Sequence, residues 1–332
     1  MADRYRYLTQ EQVNSFMENG YLVIKNAFTK EKAEAWKSDM WVRLGMDQAN
    51  PATWGDKERI HMPSHKREAI STFAPTAWEA MKDLLGGEDR IEPESGYWND
   101  AFIVNFGLPE FVDAPDVDPR NLKNWHVDGD FFVHYLDSPE QALLVIPIFN
   151  EVKTRAGGTF ICPEGIDIVA SYLSQHPEGV LPTGLSFTPS TSTYSDKTQD
   201  PGHISLLAVA KTCSGFVEVT GAVGDVFLLH PLMLHSASRN HLRIPRVITN
   251  PPVALREPFQ FNRADGKYSV VERRTLKALG VESFAFQATT ERRRVVPARV
   301  AAQQKMLEEE RQRLAWRSQE AQMDATLKPI TA

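Results

Sequence analysis

A mainly β chain with flanking helices is the fold class this sequence predicts, and three observations carry that expectation. Between residues 97 and 255 the apolar residues come in short, closely spaced runs: 97–106, 125–133, 143–152, 158–161, 215–219, 226–229 and 246–255. Gly-, Pro- and Asn-rich turns separate these runs, as in a β-sandwich or barrel. Helical patterns lie before and after this region, with one interruption at residues 166–175.

The N-terminal part starts with a helix. Thr9 stands at its N-cap, Gln12 takes the capping-box position, and Val13 and Phe16 supply an apolar face before Asn19-Gly20 ends it. Tyr21-Leu22-Val23-Ile24 reads as a strand, and a second helix runs from near Thr29 to about Leu44. Residues 50–71 are polar and carry prolines, which predicts a surface excursion. Residues 78–85 read as a helix that stops at Gly86-Gly87.

Two later stretches stand apart from the strands. Residues 181–203 are rich in Ser, Thr, Pro and Asp and have almost no apolar periodicity. That predicts a surface loop, or a lid, since long loops in compact domains are often functional. From Arg292 the chain turns strongly charged, and residues 298–322 read as one long helix with Glu309 and Arg313 at i,i+4. Its apolar positions are sparse: Val300, Met306, Leu307, Leu314 and Trp316. Such a helix packs on the barrel or on a second copy of the chain as a homodimer. The expected division is a domain over residues 1–290 and a charged helix with a disordered tail over 291–332.

Composition excludes several function classes. The 332 residues suffice for one large or two ordinary domains, and 42% hydrophobic with 24% charged residues is ordinary for a soluble globular protein. A net charge of −6 argues against a nucleic-acid or acidic-membrane partner, either of which favours a basic face. Cys162 and Cys213 are the two cysteines, with no CxxC, so neither a disulfide framework nor a zinc-cysteine site is expected. A reducing, cytoplasmic location is the default. The N-terminus lacks the apolar core of a secretory signal, and no apolar run approaches the roughly 20 residues of a membrane span.

The chemistry concentrates in Asn124-Trp125-His126-Val127-Asp128. In a strand, residues i and i+2 face the same side, so His126 and Asp128 aim at one point while Val127 turns into packing. Two imidazoles and one carboxylate on one face of Fe(II) leave three coordination positions open, which suits non-haem oxygenase chemistry. The motif alone is weak. The chain has nine histidines and about one acidic residue in eight, so chance gives roughly one His-x-Asp/Glu. A second copy, His176-Pro177-Glu178, sits in turn-like sequence and reads as a solvated loop. A third ligand must come from another strand, and His203, His230, His235 and His241 are the candidates. His230 and His235 flank one apolar strand end and are five apart, so in an unbroken strand only one of them faces the metal.

The stretch Gly224-Asp-Val-Phe-Leu-Leu-His-Pro-Leu-Met-Leu-His-Ser-Ala-Ser-Arg-Asn240 resembles the distal signature of the phytanoyl-CoA dioxygenase family. The likeness extends to the opening helix and strand from Leu8, to Trp125-His-Val-Asp128 and to Gly157-Gly-Thr-Phe-Ile-Cys-Pro-Glu-Gly165, roughly residues 8–255. The resemblance implies a double-stranded β-helix core (jelly-roll, cupin-like) and an Fe(II)/2-oxoglutarate-dependent dioxygenase using O2. It selects His235 as the third ligand. It also implies an arginine after the distal histidine that binds the far carboxylate of 2-oxoglutarate, a place Arg246 matches. An arginine's planar fork grips a carboxylate with two parallel hydrogen bonds. Arg239 and Arg243 compete for that role but sit in a polar turn. Thr159 matches a threonine of the family's Gly-rich strand, as a cosubstrate contact or a plain strand hydroxyl. Asn105, in the strand before the metal motif, is a further cosubstrate-binding candidate.

Two departures stand out. Ser236-Ala237-Ser238 replaces the family's Gly-Ser-Gly, removing one hydroxyl, and Pro163-Glu164-Gly165-Ile166 replaces Pro-Gly-Ser-His. The implied outcome is oxidation, as a rule hydroxylation, of a C–H bond in a small metabolite, with release of succinate and CO2. Asp128 argues against halogenation, where related enzymes carry a small residue. Phe131, Phe132, His134, Tyr135, Trp98 and Phe102 are expected wall residues, and ordinary barrel core is the competing assignment for them. A non-catalytic metal- or ligand-binding barrel and a protein side-chain hydroxylase are the alternative functions.

Overall fold

The computed structural model describes residues 5–182, 185–297 and 299–327. Expectations for residues 1–4, 183–184, 298 and 328–332 lie outside the described residues. No helix among the described residues is long and apolar enough to cross a membrane.

Helix Gln10–Asn19 forms as its caps dictate. The Gln12 amide donates to the Thr9 hydroxyl at 3.2 Å, and the Thr9 amide donates to the Gln12 side chain at 2.9 Å. Gly20 ends the helix at φ 71°, and a Cβ there would strike the Ile166 side chain. That turn delivers Tyr21–Ile24 antiparallel to Val226–Leu229, with Tyr21 opposite Leu229.

Antiparallel strands in several sheets make the body of the protein. One sheet runs Tyr21–Ile24, Val226–Leu229, Leu143–Pro147 and Pro252–Val253. Its two central strands are buried at every position, as apolar runs covered on both faces should be. A second sheet runs Val217–Glu218, Thr159–Cys162 and Leu234–Ala237, and an isolated bridge adds His126 beside His235. A third runs Arg246–Ile248, Ile103–Asn105 and Arg59–His61, and the bridge Ile148–Ile248 ties it to the first.

The expected runs break where polar residues need partners. Run 97–106 splits into Tyr97–Asn99 and Ile103–Asn105 around buried Asp100. Its carboxylate accepts from the His65 and Lys66 amides at 2.7 Å each and from Arg43 at 2.5 Å. Run 246–255 splits into Arg246–Ile248 and Pro252–Val253. Of run 215–219 only Val217–Glu218 pairs. Run 125–133 is not a strand: His126 pairs singly, Asp128 lies in a bend, and Gly129 takes φ 117°. The helix expected from Thr29 to Leu44 is two, Lys30–Lys37 and Met40–Leu44, with a turn at Ser38-Asp39. Residues 50–71 are more than an excursion. They supply Arg59–His61 and Arg67–Ala69, with Ile60 and Met62 buried. The polar stretch 181–203 contributes to a sheet of Val180–Pro182, Ser186–Pro189 and Ile204–Ser205.

Of the two assignments open to Trp98 and Phe102, cavity wall and ordinary core, the structure gives the core. Trp98 meets Phe73 edge-on at 6.0 Å, and Phe102 meets Phe149 at 5.0 Å. The long charged helix, Arg299–Leu327, packs on Met40–Leu44 of its own chain. Buried Glu310 accepts from Arg43 at 2.8 Å, and Glu309 and Arg313 meet at 3.4 Å as their spacing predicts.

Helix Val270–Leu279 was not anticipated, although Ser269 and Glu272 form a capping box and Gly280 caps its end. It packs on Gln10–Asn19, Pro75–Leu85 and Glu164–Ser174. Burial works against the Glu272 carboxylate, but Arg90 and the Gln260 and Ser269 amides hold its pKa down to about 2. A depressed folded pKa contributes stability above the unfolded value of about 4.5, lost as pH falls toward 2. Over that window the wild type should lose up to about 3 kcal/mol that Glu272→Gln never has. Urea midpoints for both proteins between pH 6 and pH 3 check this: equal pH slopes would show that the carboxylate is not stabilising.

Candidate metal centre

Two short elements and a bend build the site. Strand Leu234–Ala237 carries His235 opposite Ile161, and His126 pairs with His235 through two backbone hydrogen bonds of 2.9 Å. That double bond sets the two imidazoles side by side, with ring centres 4.2 Å apart. The bend then returns Asp128 to both. Its Oδ1 lies 3.3 Å from His126 Nε2 and 3.5 Å from His235 Nε2. One donor atom from each of the three residues lies within 4.8 Å of the others, with His235 buried and the other two half-buried. The expected convergence of His126 and Asp128 therefore occurs, by a bend after one bridged residue rather than by strand alternation.

The partners around these side chains fix which atoms face the centre. His126 Nδ1 lies 2.7 Å from the Asn124 carbonyl, and His235 Nδ1 lies 3.0 Å from the Met233 carbonyl. A carbonyl only accepts, so each Nδ1 carries the proton and each Nε2 presents a lone pair. Asn250 donates to Asp128 Oδ2 at 3.1 Å, leaving Oδ1 toward the histidines. Burial opposes charge on both groups. Even so, the Asp128 carboxylate raises the His126 pKa, and the His235 and His126 imidazoles hold Asp128 well below the carboxylate range. The deprotonated carboxylate suits a divalent cation, which would take the place of any proton on the two Nε2 atoms.

The other histidines are engaged elsewhere. His230 is fully buried, its Nε2 3.0 Å from the Thr275 hydroxyl and its Nδ1 accepting from the Leu232 amide at 3.2 Å. His203 meets Thr188, and His241 meets the Phe111 carbonyl. His176 is not the solvated residue expected: half-buried, it sits 2.9 Å from Glu178 and against the Tyr172 ring. Tyr172 lies on helix Glu164–Ser174, and its ring gives the loop histidine an apolar surface to cover.

The candidate cosubstrate residues fall on the surrounding strands. Arg246 is 2% exposed, with Nε and Nη1 buried and without a hydrogen-bond partner. Burial, and next the charge of Arg59, push its pKa down to about 9. Arg239 and Arg243 lie farther out, stacked on Phe111 and Trp54. Thr159 is opposite Ala237, on the same sheet face as His235. Asn105 is opposite Arg246, but its amide already donates to the Ser238 carbonyl and accepts from the Gly107 amide, each at 3.0 Å. Beside Asp128, Phe132, His134, Tyr135, Leu232 and Phe259 line a small cavity. His134 stacks on Phe132 at 4.3 Å, and burial keeps it neutral with a pKa of about 4.

Two residues of this region were not anticipated, Arg59 and His61. Their strand is three residues long and lies inside a polar stretch. The one available signal was the alternation Arg59-Ile60-His61, with Ile60 inward, which is too short to separate from chance.

No family model matches the chain, and no curated protein matches it. Solved structures give distant likenesses. HygX from Streptomyces hygroscopicus, with nickel, 2-oxoglutarate and hygromycin B bound, is 14% identical, covering 77% of this chain and 90% of that chain at a TM-score of 0.40. SnoK, a non-haem α-ketoglutarate-dependent carbocyclase of nogalamycin biosynthesis, is 15% identical over 75% and 84% of the two chains at 0.35. EctD from S. alaskensis, in its apo form, is 15% identical over 77% and 78% at 0.36. Likeness at this level assigns neither family nor activity to the chain.

Proposed function

We propose that this protein is an Fe(II)/2-oxoglutarate-dependent dioxygenase that oxidises a C–H bond of a small organic molecule, with release of succinate and CO2. Its core is then a double-stranded β-helix of the phytanoyl-CoA dioxygenase kind, the family its motifs resemble. One observation carries the proposal: a two-histidine, one-carboxylate centre lies in the same fold as a buried guanidinium with no partner. A binder that only stored a metal has no use for that second feature, because an unpaired buried charge is costly.

The residues present fit the cofactor set. His126, Asp128 and His235 supply the donors that non-haem Fe(II) takes, and they leave part of its coordination sphere open. Bound iron, 2-oxoglutarate and O2 together would supply an oxidant strong enough to take hydrogen from carbon. The chain's own work is placement. The Asn124 and Met233 carbonyls orient the two imidazoles, Asn250 orients the carboxylate, and Arg246 holds the far end of the cosubstrate. Thr159 and the remaining N–H of Asn105 are the proposed secondary cosubstrate contacts. Phe132, Tyr135 and Phe259 give the substrate an apolar wall from which water is excluded.

Anaerobic addition of Fe(II) and then 2-oxoglutarate tests this. A weak visible charge-transfer band should appear only with both present. Bound iron with no band and no 2-oxoglutarate-dependent succinate would reduce the protein to a metal binder.

A further inference from the structure

Arg59 adds a second guanidinium to the row of strand residues that carries Arg246, two strands away. Strand pairing sets Arg246 opposite Asn105 and Asn105 opposite Arg59, so the three side chains stand in one row on one face. Adjacent strands are about 4.8 Å apart, so the outer two Cα atoms are separated by about 10 Å, within reach of two arginine side chains. The charge of Arg59 opposes a proton on His61 and on Arg246. Its strand partner Asn105 is fully buried, and its own side chain is 25% exposed. Among the described residues its one ion-pair partner is Glu58, at 4.0 Å the outer limit for such a pair. Arg299 also acts on His61, but its own charge is met by both oxygens of Asp130, at 2.5 and 2.9 Å.

Iron(II) with Asp128 carries one net positive charge, and Arg246 adds a second. The 2-oxoglutarate dianion cancels both. Arg59 remains, met only by Glu58 at 4.0 Å and next to the imidazole of His61, two residues along on the same strand face. Partial burial of the ring first, and the neighbouring arginines second, lower the His61 pKa to about 4, although the residue stands at the exposed end of its strand. It can therefore donate one hydrogen bond without adding charge.

We propose that Arg59, with His61 beside it, binds a carboxylate on the substrate, so that the substrate is a small organic acid with an apolar body. One guanidinium and one neutral donor suit a monoanion, whereas a phosphate dianion would leave a charge uncompensated. The proposal rests on the oxygenase assignment, and the experiment separates the two. Ni(II) replaces iron so that nothing turns over. Binding of 2-oxoglutarate to the Ni(II) protein is measured first by calorimetry; its absence in the wild type would end the oxygenase assignment itself. Ligand-observed NMR on the Ni(II)/2-oxoglutarate protein then compares a panel of aryl- and alkyl-acetic acids with their primary amides. Acids should bind and amides should not. Arg59→Gln should weaken acid binding by about 10–100-fold, the range of a charge-assisted hydrogen bond, while 2-oxoglutarate affinity stays within twofold. Arg59→Lys, which retains the charge and guards against a folding defect, should recover part of the loss. Equal binding of acids and amides, no acid binding at all, or loss of 2-oxoglutarate in place of the acid would each overturn the proposal.

Discussion

His126→Ala, Asp128→Ala and His235→Ala should each remove stoichiometric iron binding and all 2-oxoglutarate-dependent succinate formation while the chain stays folded. Three donors are the minimum for this centre, and among the described residues no other histidine, cysteine or carboxylate joins the cluster. His230 has both ring nitrogens committed, to the Thr275 hydroxyl and the Leu232 amide. His134 stacks on Phe132 and turns Nε2 to the Gly129 carbonyl at 2.7 Å. The fold should tolerate the changes because the pairing of His126 with His235 is made by backbone atoms, which alanine keeps. Asn250→Ala tests the supporting partner. It leaves all three ligands but frees Asp128 Oδ2, and it should cost about 10–100-fold in metal affinity. His176→Ala is the control: it loses one ion pair to Glu178, costs under about 1 kcal/mol, and leaves iron binding intact. Metal analysis beside circular dichroism on the five variants decides the matter. Iron retained by His126→Ala, or lost by His176→Ala, would move the centre elsewhere.

What could be read from the sequence and what could not differ in physical kind. Caps and apolar runs are local, so Thr9 with Gln12 located the first helix, and the runs at 143 and 226 located the two central strands. His235 was separated from His230 by the resemblance, since spacing alone left both open; in the structure His235 faces Asp128 and His230 turns to Thr275. The failures come from long-range demands on the backbone. Asp100 breaks a strand because amides 34 and 35 residues earlier, and a buried arginine farther back, need its carboxylate. Asn250 reaches Asp128 across 122 residues, and no local pattern encodes that contact. Arg59 and His61 carry no local signal for a related reason. A three-residue strand gains its identity from pairing with Ile103–Asn105, not from its own periodicity. The missed helix at Val270–Leu279 is different, because its capping box was present in the sequence.

Arg246→Ala should weaken 2-oxoglutarate binding by about two to three and a half orders of magnitude and leave iron binding unchanged. The magnitude follows from removing one partner of a buried charge pair, about 3–5 kcal/mol. Without cosubstrate the guanidinium is a burden on the fold: 2% exposed, two nitrogens without partners, and its pKa pushed down to about 9 by burial and then by Arg59. A residue held at such cost is stabilised once a carboxylate arrives. Two opposite effects should follow. Arg246→Met, which retains the volume without the charge, should melt higher than the wild type when no ligand is present. Saturating 2-oxoglutarate with Ni(II) should then raise the melting temperature of the wild type and leave that of Arg246→Met near its Ni(II)-only value. Arg246→Lys keeps the charge but loses the planar fork, so its affinity should fall between wild type and Arg246→Ala. The decisive measurements are the 2-oxoglutarate dependence of succinate formation and the melting curves, on the same metal-assayed samples. Wild-type cosubstrate dependence in Arg246→Ala would place the clamp elsewhere. Arg59, in the same row of side chains, would then be the next residue to test, ahead of Arg239 and Arg243, whose guanidinium groups already cover Phe111 and Trp54.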